Sequence, residues 1–154
     1  MPAIAVTDRD GVYGSPRVHA KAKENGIRGI VGSEVTLESG HVLPLLVRNR
    51  VGYQNLCQLL TLVKLRAAKN ESRVTWTELQ QYADGLTCLT GDEESPLHAQ
   101  LLADDRPGAE RTIRQLIRTF GEQHVYVEVQ RHHLRGEERL IESAVDLAAR
   151  FHLP

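Results

Sequence analysis

The chain has 154 residues, of which 41% are hydrophobic and 25% are charged, as in an ordinary globular domain. The 19 basic and 20 acidic residues leave a formal net charge of -1, which excludes a bulk attraction of the whole chain to phosphate backbones. No apolar run is long enough for a membrane span, and the N-terminus lacks the features of a secretory signal. We therefore expect a cytoplasmic protein without membrane contact.

The first third of the chain predicts strands separated by one helix. We predict a buried strand over residues 3–7, followed by a helix with Ser15-Pro16 as its N-cap and first turn that ends before Gly26. Residues 27–37 form a second strand and residues 42–47 a third. Pro44 cannot donate a ladder hydrogen bond, so we expect the third strand at a sheet edge or at a bulge.

The rest of the chain alternates in the same way between helices and short strands. Thr75 and Glu78 have the spacing of a capping box, which predicts the start of a helix. The predicted elements are, in order, a helix over 52–68, a short helix from Thr75, a strand over 86–90, helices opened by Ser95-Pro96 and Pro107, a strand over 124–129 and a helix after Gly136.

This alternation predicts an α/β domain with a mainly parallel sheet. The chain starts on an apolar strand and ends after a helix, where a further strand would be expected. Both sheet edges would then be unpaired, so we expect residues 1–154 to be a single partial domain. Cys57 and Cys88 lie in apolar segments and outside any CxxC pair, which favours buried reduced thiols.

Polar clusters follow three of the predicted strands, and functional groups of parallel sheets gather at the carboxyl ends of strands. The clusters are Asp8-Arg9-Asp10-Gly11, Gly32-Ser33-Glu34, and Glu128 with Arg131, His132 and His133. Carboxylate and imidazole together suit zinc or manganese, although the candidate ligands lie far apart in sequence. Asp8 and Asp10 have a second interpretation as turn residues before Gly11.

Four segments resemble the PHP (polymerase and histidinol phosphatase) domains of bacterial C-family DNA polymerases. They are Thr7-Asp8-Arg9-Asp10-Gly11-Val12-Tyr13-Gly14, Gly32-Ser33-Glu34-Val35, the block from Leu43 to Thr61 that contains LPLL and GYQNLCQLLT, and Glu128-Val129-Gln130-Arg131-His132. Together they span nearly the whole chain. The TDRDG form is similar to the error-prone branch, because replicative members usually carry TDH at this point.

The resemblance implies a partial, distorted (β/α)7 barrel that lacks its first strand and its C-terminal strands. Active members hold up to three metals and cleave phosphoesters. Glu34 and His132 match metal-ligand positions, and Asp8 matches the acidic residue of the second motif. Arg9 occupies the position of a ligand histidine, and a permanently charged guanidinium cannot coordinate a metal. We expect Arg9 to pair with Glu34 or Asp8 in a degenerate metal site, so that no cofactor binds.

Two functions are compatible with these motifs. In the first, the chain is a non-catalytic structural and interaction module of an error-prone DNA polymerase active in repair and damage tolerance. Its partners would be the remainder of the polymerase, DNA through that polymerase, and accessory repair proteins. In the second, it is a metal-dependent phosphoesterase or 3′-5′ exonuclease that uses zinc or manganese. A degenerate gene remnant is a third interpretation. Arg48 and Arg50, with Lys64 and Arg66 nearby in sequence, have two interpretations, a DNA contact and a solvated face. We favour the solvated face, because acidic residues balance the charge overall.

Overall fold

The computed structural model describes residues 2–68, 71–132 and 136–154. His133, a member of the third polar cluster, lies outside these ranges. The strands and helices are, in chain order, β1 Ala3–Arg9, α1 Ser15–Glu24, β2 Arg28–Thr36, β3 Val42–Val47, α2 Arg50–Arg66, α3 Trp76–Tyr82, β4 Leu86–Leu89, α4 Pro96–Leu102, α5 Arg106–Phe120, β5 Val125–Tyr126 and α6 Glu137–Arg150. The predicted α/β architecture is confirmed, although β5 is shorter than the run of alternating residues indicated.

The five strands form one open sheet in the order β1-β2-β3-β4-β5. β1 runs parallel to β2 and β4 parallel to β5, whereas β3 is antiparallel to both of its neighbours. β1, β2, β4 and β5 therefore point the same way, and their carboxyl ends meet at one end of the sheet. The sheet is mixed but mostly parallel.

The prediction that Pro44 marks an edge strand or a bulge is wrong, because β3 is the central strand. Pro44 pairs with Glu34 of β2, but the ladder between β3 and β4 includes only Leu45–Val47. The proline thus lies beyond the last pair on the β4 side. Its missing amide hydrogen costs no ladder bond there, which is how a central strand tolerates it.

One face of the sheet is packed and the other is largely open. Leu43, Leu45 and Cys88 have no solvent exposure and belong to the core that the helices cover. Their sequence neighbours on the opposite face, among them Leu46 and Leu89, are only half-buried. Burial in this core raises the pKa of the Cys88 thiol, and both cysteines are free, Cys57 being half-buried.

Side chains cap the helix starts except at α1 and α6, whose N-cap residues are glycines. Both hydrogen bonds of the predicted capping box on Thr75 and Glu78 are present. At α1 the N-cap is Gly14 rather than the predicted Ser15, and no side chain caps the helix. Ser15 is instead the buried first residue of the helix, with an unpartnered hydroxyl. Within the described ranges, no helix is long and apolar enough to cross a membrane.

A contact between two glycines joins α2 to the start of β4. A Cβ atom on Gly52 would lie 1.9 Å from the carbonyl oxygen of Gly85, so only glycine fits there. Gly85 has φ +74, which also favours glycine. The side chain of Asn49 caps α2 by accepting from the Gly52 amide at 3.0 Å. This close approach holds the first turn of α2 rigidly against the sheet.

Candidate functional site

The polar clusters that follow the parallel strands meet at the carboxyl end of the sheet, which we call the site end and define by Arg9, Glu34, Glu94 and Glu128. The β1–β2 register pairs Arg9 with Glu34, so both side chains leave the same face on neighbouring strands. Glu34 and Glu128 line a cavity of about 160 Å³ on the open face, together with Thr7, Asp92 and Gln130.

Arg9 forms ion pairs with two carboxylates at the site end. Its Nε lies 3.4 Å from Oε2 of Glu34, and its terminal nitrogens donate to both carboxylate oxygens of Glu94. The hydrogen bond to Glu94 raises the pKa of the guanidinium, with charge attraction from Glu94 and Glu34 adding to the shift. The expected pairing of Arg9 with Glu34 is thus confirmed, whereas Asp8 is not its partner.

Both carboxylate oxygens of Glu34 are engaged. Oε2 faces Arg9, and Oε1 accepts a hydrogen bond from the Thr7 hydroxyl at 3.1 Å. The side chain is one-third exposed, so the cluster is only partly shielded from water. A metal ion bound to Glu34 would lie close to the Arg9 guanidinium, and repulsion between the two cations opposes such binding.

Asp8 and Asp10 both organise backbone. The Asp8 carboxylate accepts from the Gly14 amide at 2.7 Å and so fixes the turn into α1. Asp10 has φ 48 and accepts from both the amide and the hydroxyl of Thr36, each at 2.8 Å. These contacts tie the loop after β1 to the end of β2. They match the alternative interpretation of the two aspartates as turn residues.

His132 lies near the site end but does not line the cavity that Glu34 lines. Its ring Nε2 is 3.0 Å from Oε1 of the Gln130 side chain, and its backbone amide donates to Oε1 of Glu137 at 2.6 Å. It lines a larger cavity of about 430 Å³ between the ends of β4 and β5 and the helices α4 and α6. Glu128 and Gln130 form walls of both cavities and thus stand between His132 and Glu34.

The potential metal ligands at the site end are not arranged to hold a metal cluster. Within residues 2–68, 71–132 and 136–154, no three His, Cys, Asp or Glu side chains lie close enough together to hold a metal ion. Glu34 is occupied by Arg9 and Thr7. Glu128 is the one site-end carboxylate with an unused oxygen in this part of the chain: its Oε2 is buried without a hydrogen-bond partner, while Oε1 accepts from Gln130 at 2.9 Å.

The sequence interpretation missed Glu94 as a partner of Arg9. Glu94 belongs to the polar run 90–94, which follows β4 in the same way that the other clusters follow their strands. Applying the strand-end rule to this fourth strand identifies it. The Glu94 carbonyl also accepts from the Val42 amide at 2.9 Å, so the loop after β4 folds back over the start of β3.

Comparison with known proteins gives a consistent result. The sequence profile of the PHP domain matches residues 1–132. The DNA polymerase III subunit alpha of Vibrio cholerae is 30% identical over 161 residues, which cover 100% of this chain and 14% of that protein. The error-prone DNA polymerase of Symbiobacterium thermophilum is 33% identical over 170 residues, which cover 100% of this chain and 16% of its own length.

Two further comparisons concern a partial match and a fold. The error-prone DNA polymerase of Pseudomonas syringae is 40% identical over 87 residues, covering 56% of this chain and 8% of that protein. A solved structure assigned as a metal-dependent phosphoesterase from Bifidobacterium adolescentis superposes with a TM-score of 0.58 at 12% identity, over 99% of this chain and 74% of that one. The chain therefore spans a small part of the polymerases it matches.

Proposed function

Because this chain belongs to the PHP domain family, we propose that it is the PHP portion of an error-prone DNA polymerase and acts there as a non-catalytic structural and interaction module. Nucleotidyl transfer in repair and damage tolerance would be the work of the parent polymerase. The partners of this module would be the rest of that polymerase and accessory repair proteins. The module would contact DNA as part of the assembled polymerase.

The observation that carries the proposal is the Arg9 cluster. Two unit charges 4 Å apart interact by about 4 kcal/mol at the effective dielectric near a protein surface, and a divalent ion doubles that repulsion. A metal at Glu34 would therefore meet a permanent cation on the same carboxylate. In place of the metal, Arg9 joins β1 to β2 and to the loop after β4, which is a structural role.

Assignment to the error-prone branch is supported by the TDRDG segment around Arg9. The fragmentary match to the Pseudomonas syringae error-prone polymerase is 40% identical, compared with 30% for the full-length match to the Vibrio cholerae alpha subunit. The residue at position 9 and the higher identity to the error-prone polymerase together support assignment to the error-prone branch.

Metal analysis of the purified chain tests the proposal. We expect less than one zinc or manganese per chain by elemental mass spectrometry, and no hydrolysis of p-nitrophenyl phosphate. Arg9→His removes the permanent cation and adds an imidazole beside Glu34 and Glu94, and we expect it to raise zinc occupancy above wild type. Unchanged occupancy in this variant would show that Arg9 is not the obstacle.

The same measurement addresses a second candidate function, a metal-dependent phosphoesterase or 3′-5′ exonuclease. The buried, unpartnered Oε2 of Glu128 in the wall between the two cavities favours it, since such an oxygen is an available ligand. The decisive variant is His132→Ala, with His19→Ala on the exposed side of α1 as its matched control. A stoichiometric metal and turnover that both disappear only in His132→Ala would replace our proposal with this one.

A further inference from the structure

The near-neutral net charge conceals a division of charge along the chain. Residues 1–70 contain ten Lys or Arg and five Asp or Glu, whereas residues 71–154 contain nine and 15. The first part thus has a net charge of +5 and the second of -6. A separation of this size creates a local potential that the overall balance does not reveal.

The two parts also differ in how their cations are paired. On α5 and α6 of the second part, arginines form ion pairs with carboxylates; these are Arg106, Arg111, Arg114, Arg139 and Arg150. Six described cations of the first part have no ion pair within the described residues. Four of them lie near the start of β2 or the end of β3, and we call these the basic end: Lys23, Arg28, Arg48 and Arg50. The other two are Arg17, in the first turn of α1, and Lys64, in the last turn of α2, which donates to the Tyr13 hydroxyl.

The fold brings these four residues to one end of the sheet, opposite the site end. Lys23 lies in the last turn of α1, which leads to Arg28 at the start of β2. Because β2 and β3 are antiparallel neighbours, the start of β2 and the end of β3 lie at the same end of the sheet. Arg48 follows that end directly, and Arg50 is the first residue of α2.

The basic end is held on rigid backbone. The Arg48 amide donates to the Gly85 carbonyl at 2.9 Å, and its Nε donates to the Leu86 carbonyl at 3.2 Å. These bonds leave both terminal nitrogens of Arg48 without a partner among the residues that the structure describes. The Gly52–Gly85 contact fixes the adjoining first turn of α2. Cations held in place in this way bind a ligand with a smaller loss of conformational entropy than free side chains.

Helix stability does not account for Arg50. The positive end of the helix dipole is at the N-terminus, so a cation in the first turn is unfavourable there. No acidic residue lies in the first turn of α2 to compensate. Arg66, at the other end of α2, is in contrast paired with Glu78 and is therefore not an available cation.

We propose that the basic end binds the phosphate backbone of nucleic acid. Guanidinium groups match phosphate oxygens with paired hydrogen bonds, and backbone contacts of this kind are independent of base sequence. The chain would thus contact nucleic acid directly, in addition to the interaction role proposed above. Its test does not depend on metal content, so the two proposals fail separately.

Fluorescence anisotropy of a labelled 20-base-pair DNA duplex tests this inference with the full chain. We expect binding whose log Kd rises with log salt between 50 and 200 mM NaCl, with a slope of about 0.9 per phosphate contacted and hence no greater than about four. Arg28→Glu with Arg50→Glu is expected to weaken binding at least about tenfold and to lower the slope by about two.

The matched control is Arg111→Glu with Arg118→Glu, which changes the net charge by the same amount on α5, a helix that carries no basic-end residue. We expect it to keep most of the affinity. Arg28→Gln with Arg50→Gln, a milder pair, gives the same direction of effect if charge reversal unfolds the chain. Absence of salt-dependent binding at 50 mM NaCl, an equal loss in the control, or tighter binding to phosphatidylserine vesicles than to DNA would each overturn the inference.

Discussion

The two ends of the sheet hold charge in opposite ways. At the site end, the cation Arg9 lies between the carboxylates of Glu34 and Glu94, and the charges are satisfied within the molecule. At the basic end, Arg28 and Arg50 have no acidic partner among the described residues. The difference shows that the same residue type, arginine, has a structural role where the fold supplies carboxylates and is available to a ligand where it does not.

The comparison also shows that the net charge of the chain does not describe its local charge. The net charge of -1 is the sum of +5 in residues 1–70 and -6 in residues 71–154. Electrostatic attraction acts over about 8 to 10 Å at physiological salt, so a ligand responds to the local end rather than to the sum. Four variants test this contrast between charges that are paired within the molecule and charges that have no ion pair among the described residues.

Gly52→Ala tests whether the basic end depends on rigid backbone packing. An added Cβ would lie 1.9 Å from the Gly85 carbonyl oxygen, so α2 or β4 must shift. We expect the free energy of unfolding to fall by about 2–3 kcal/mol, measured by urea denaturation. Gly14→Ala is the control, since its nearest contacts are at 3.4 Å, and it should cost less than about 1 kcal/mol. Equal losses in the two variants would contradict the packing argument.

Glu78→Gln measures an ion pair that contributes to stability. The hydrogen bond from Arg66, followed by bonds from Thr75, holds the pKa of Glu78 below its ordinary value. A carboxylate whose folded-state pKa is lowered contributes stability above its unfolded pKa of about 4.3, and this contribution is lost as pH falls through the folded-state value. We expect a loss of about 1–2 kcal/mol at pH 7 that shrinks below pH 4.5.

The control for this experiment is Asp104→Asn, whose side chain is 83% exposed and paired only with Arg139 among the described residues. Its effect should stay near zero across the same pH range, because exposed pairs contribute little. Chemical denaturation from pH 3 to pH 8 gives both curves. A Glu78→Gln loss that did not change with pH would show that shape, and not charge, is what the position requires.

Arg9→Met tests the structural role of the site-end cluster. Removing the cation leaves Glu34 and Glu94 without their shared partner. Arg9 is 43% exposed, so solvent screening limits the expected cost to about 1 kcal/mol or less at pH 7. Thermal melts at 0.05 and 0.5 M NaCl should show a smaller cost at high salt. If Arg9→Met is as stable as wild type at 0.05 M NaCl, the ion pairs of Arg9 do not stabilise the fold.

Arg50→Glu has the smallest expected effect and the opposite sign. It removes an unpartnered cation from the first turn of α2 and places an anion at the positive end of the helix dipole. We expect a gain of about 0.3–1 kcal/mol in the free energy of unfolding. Arg150→Gln, which breaks a pair with Glu110 at 2.7 Å, is the contrasting change and should be slightly destabilising. Destabilisation by Arg50→Glu would indicate an internal partner for this arginine.

Local chemistry allowed much of the fold to be predicted. The capping box on Thr75 and the cap at Ser95 depend on a few neighbouring residues, and helix starts follow such signals. The strand limits of β3 were also readable. The central position of β3 could not be predicted. Pro44 lacks an amide donor, which favours an edge strand, and the sequence does not show that the β3–β4 ladder begins only after this residue, at Leu45.

The candidate site was only partly predictable for a similar reason. Arg9 and Glu34 were placed together from strand-end position and family motif. The strand-end rule places Glu94 at the same end of the sheet, but its pairing with Arg9, 85 residues away in sequence, depends on the path of the loop after β4. His132 was expected beside Glu34, but the structure places Glu128 and Gln130 between the cavities that these two residues line. Its role as a metal-ligand position remains a prediction.

Sequence alone determined the alternation of strands and helices, the family to which the chain belongs, and the presence of a permanent cation at position 9. These are properties of residue type and short-range spacing. Tertiary structure decided which charges are neutralised, since Arg9 has two carboxylate partners and Arg28 has none among the described residues. Ion pairing depends on distances of a few ångströms between residues far apart in the chain, and only the folded sheet sets those distances.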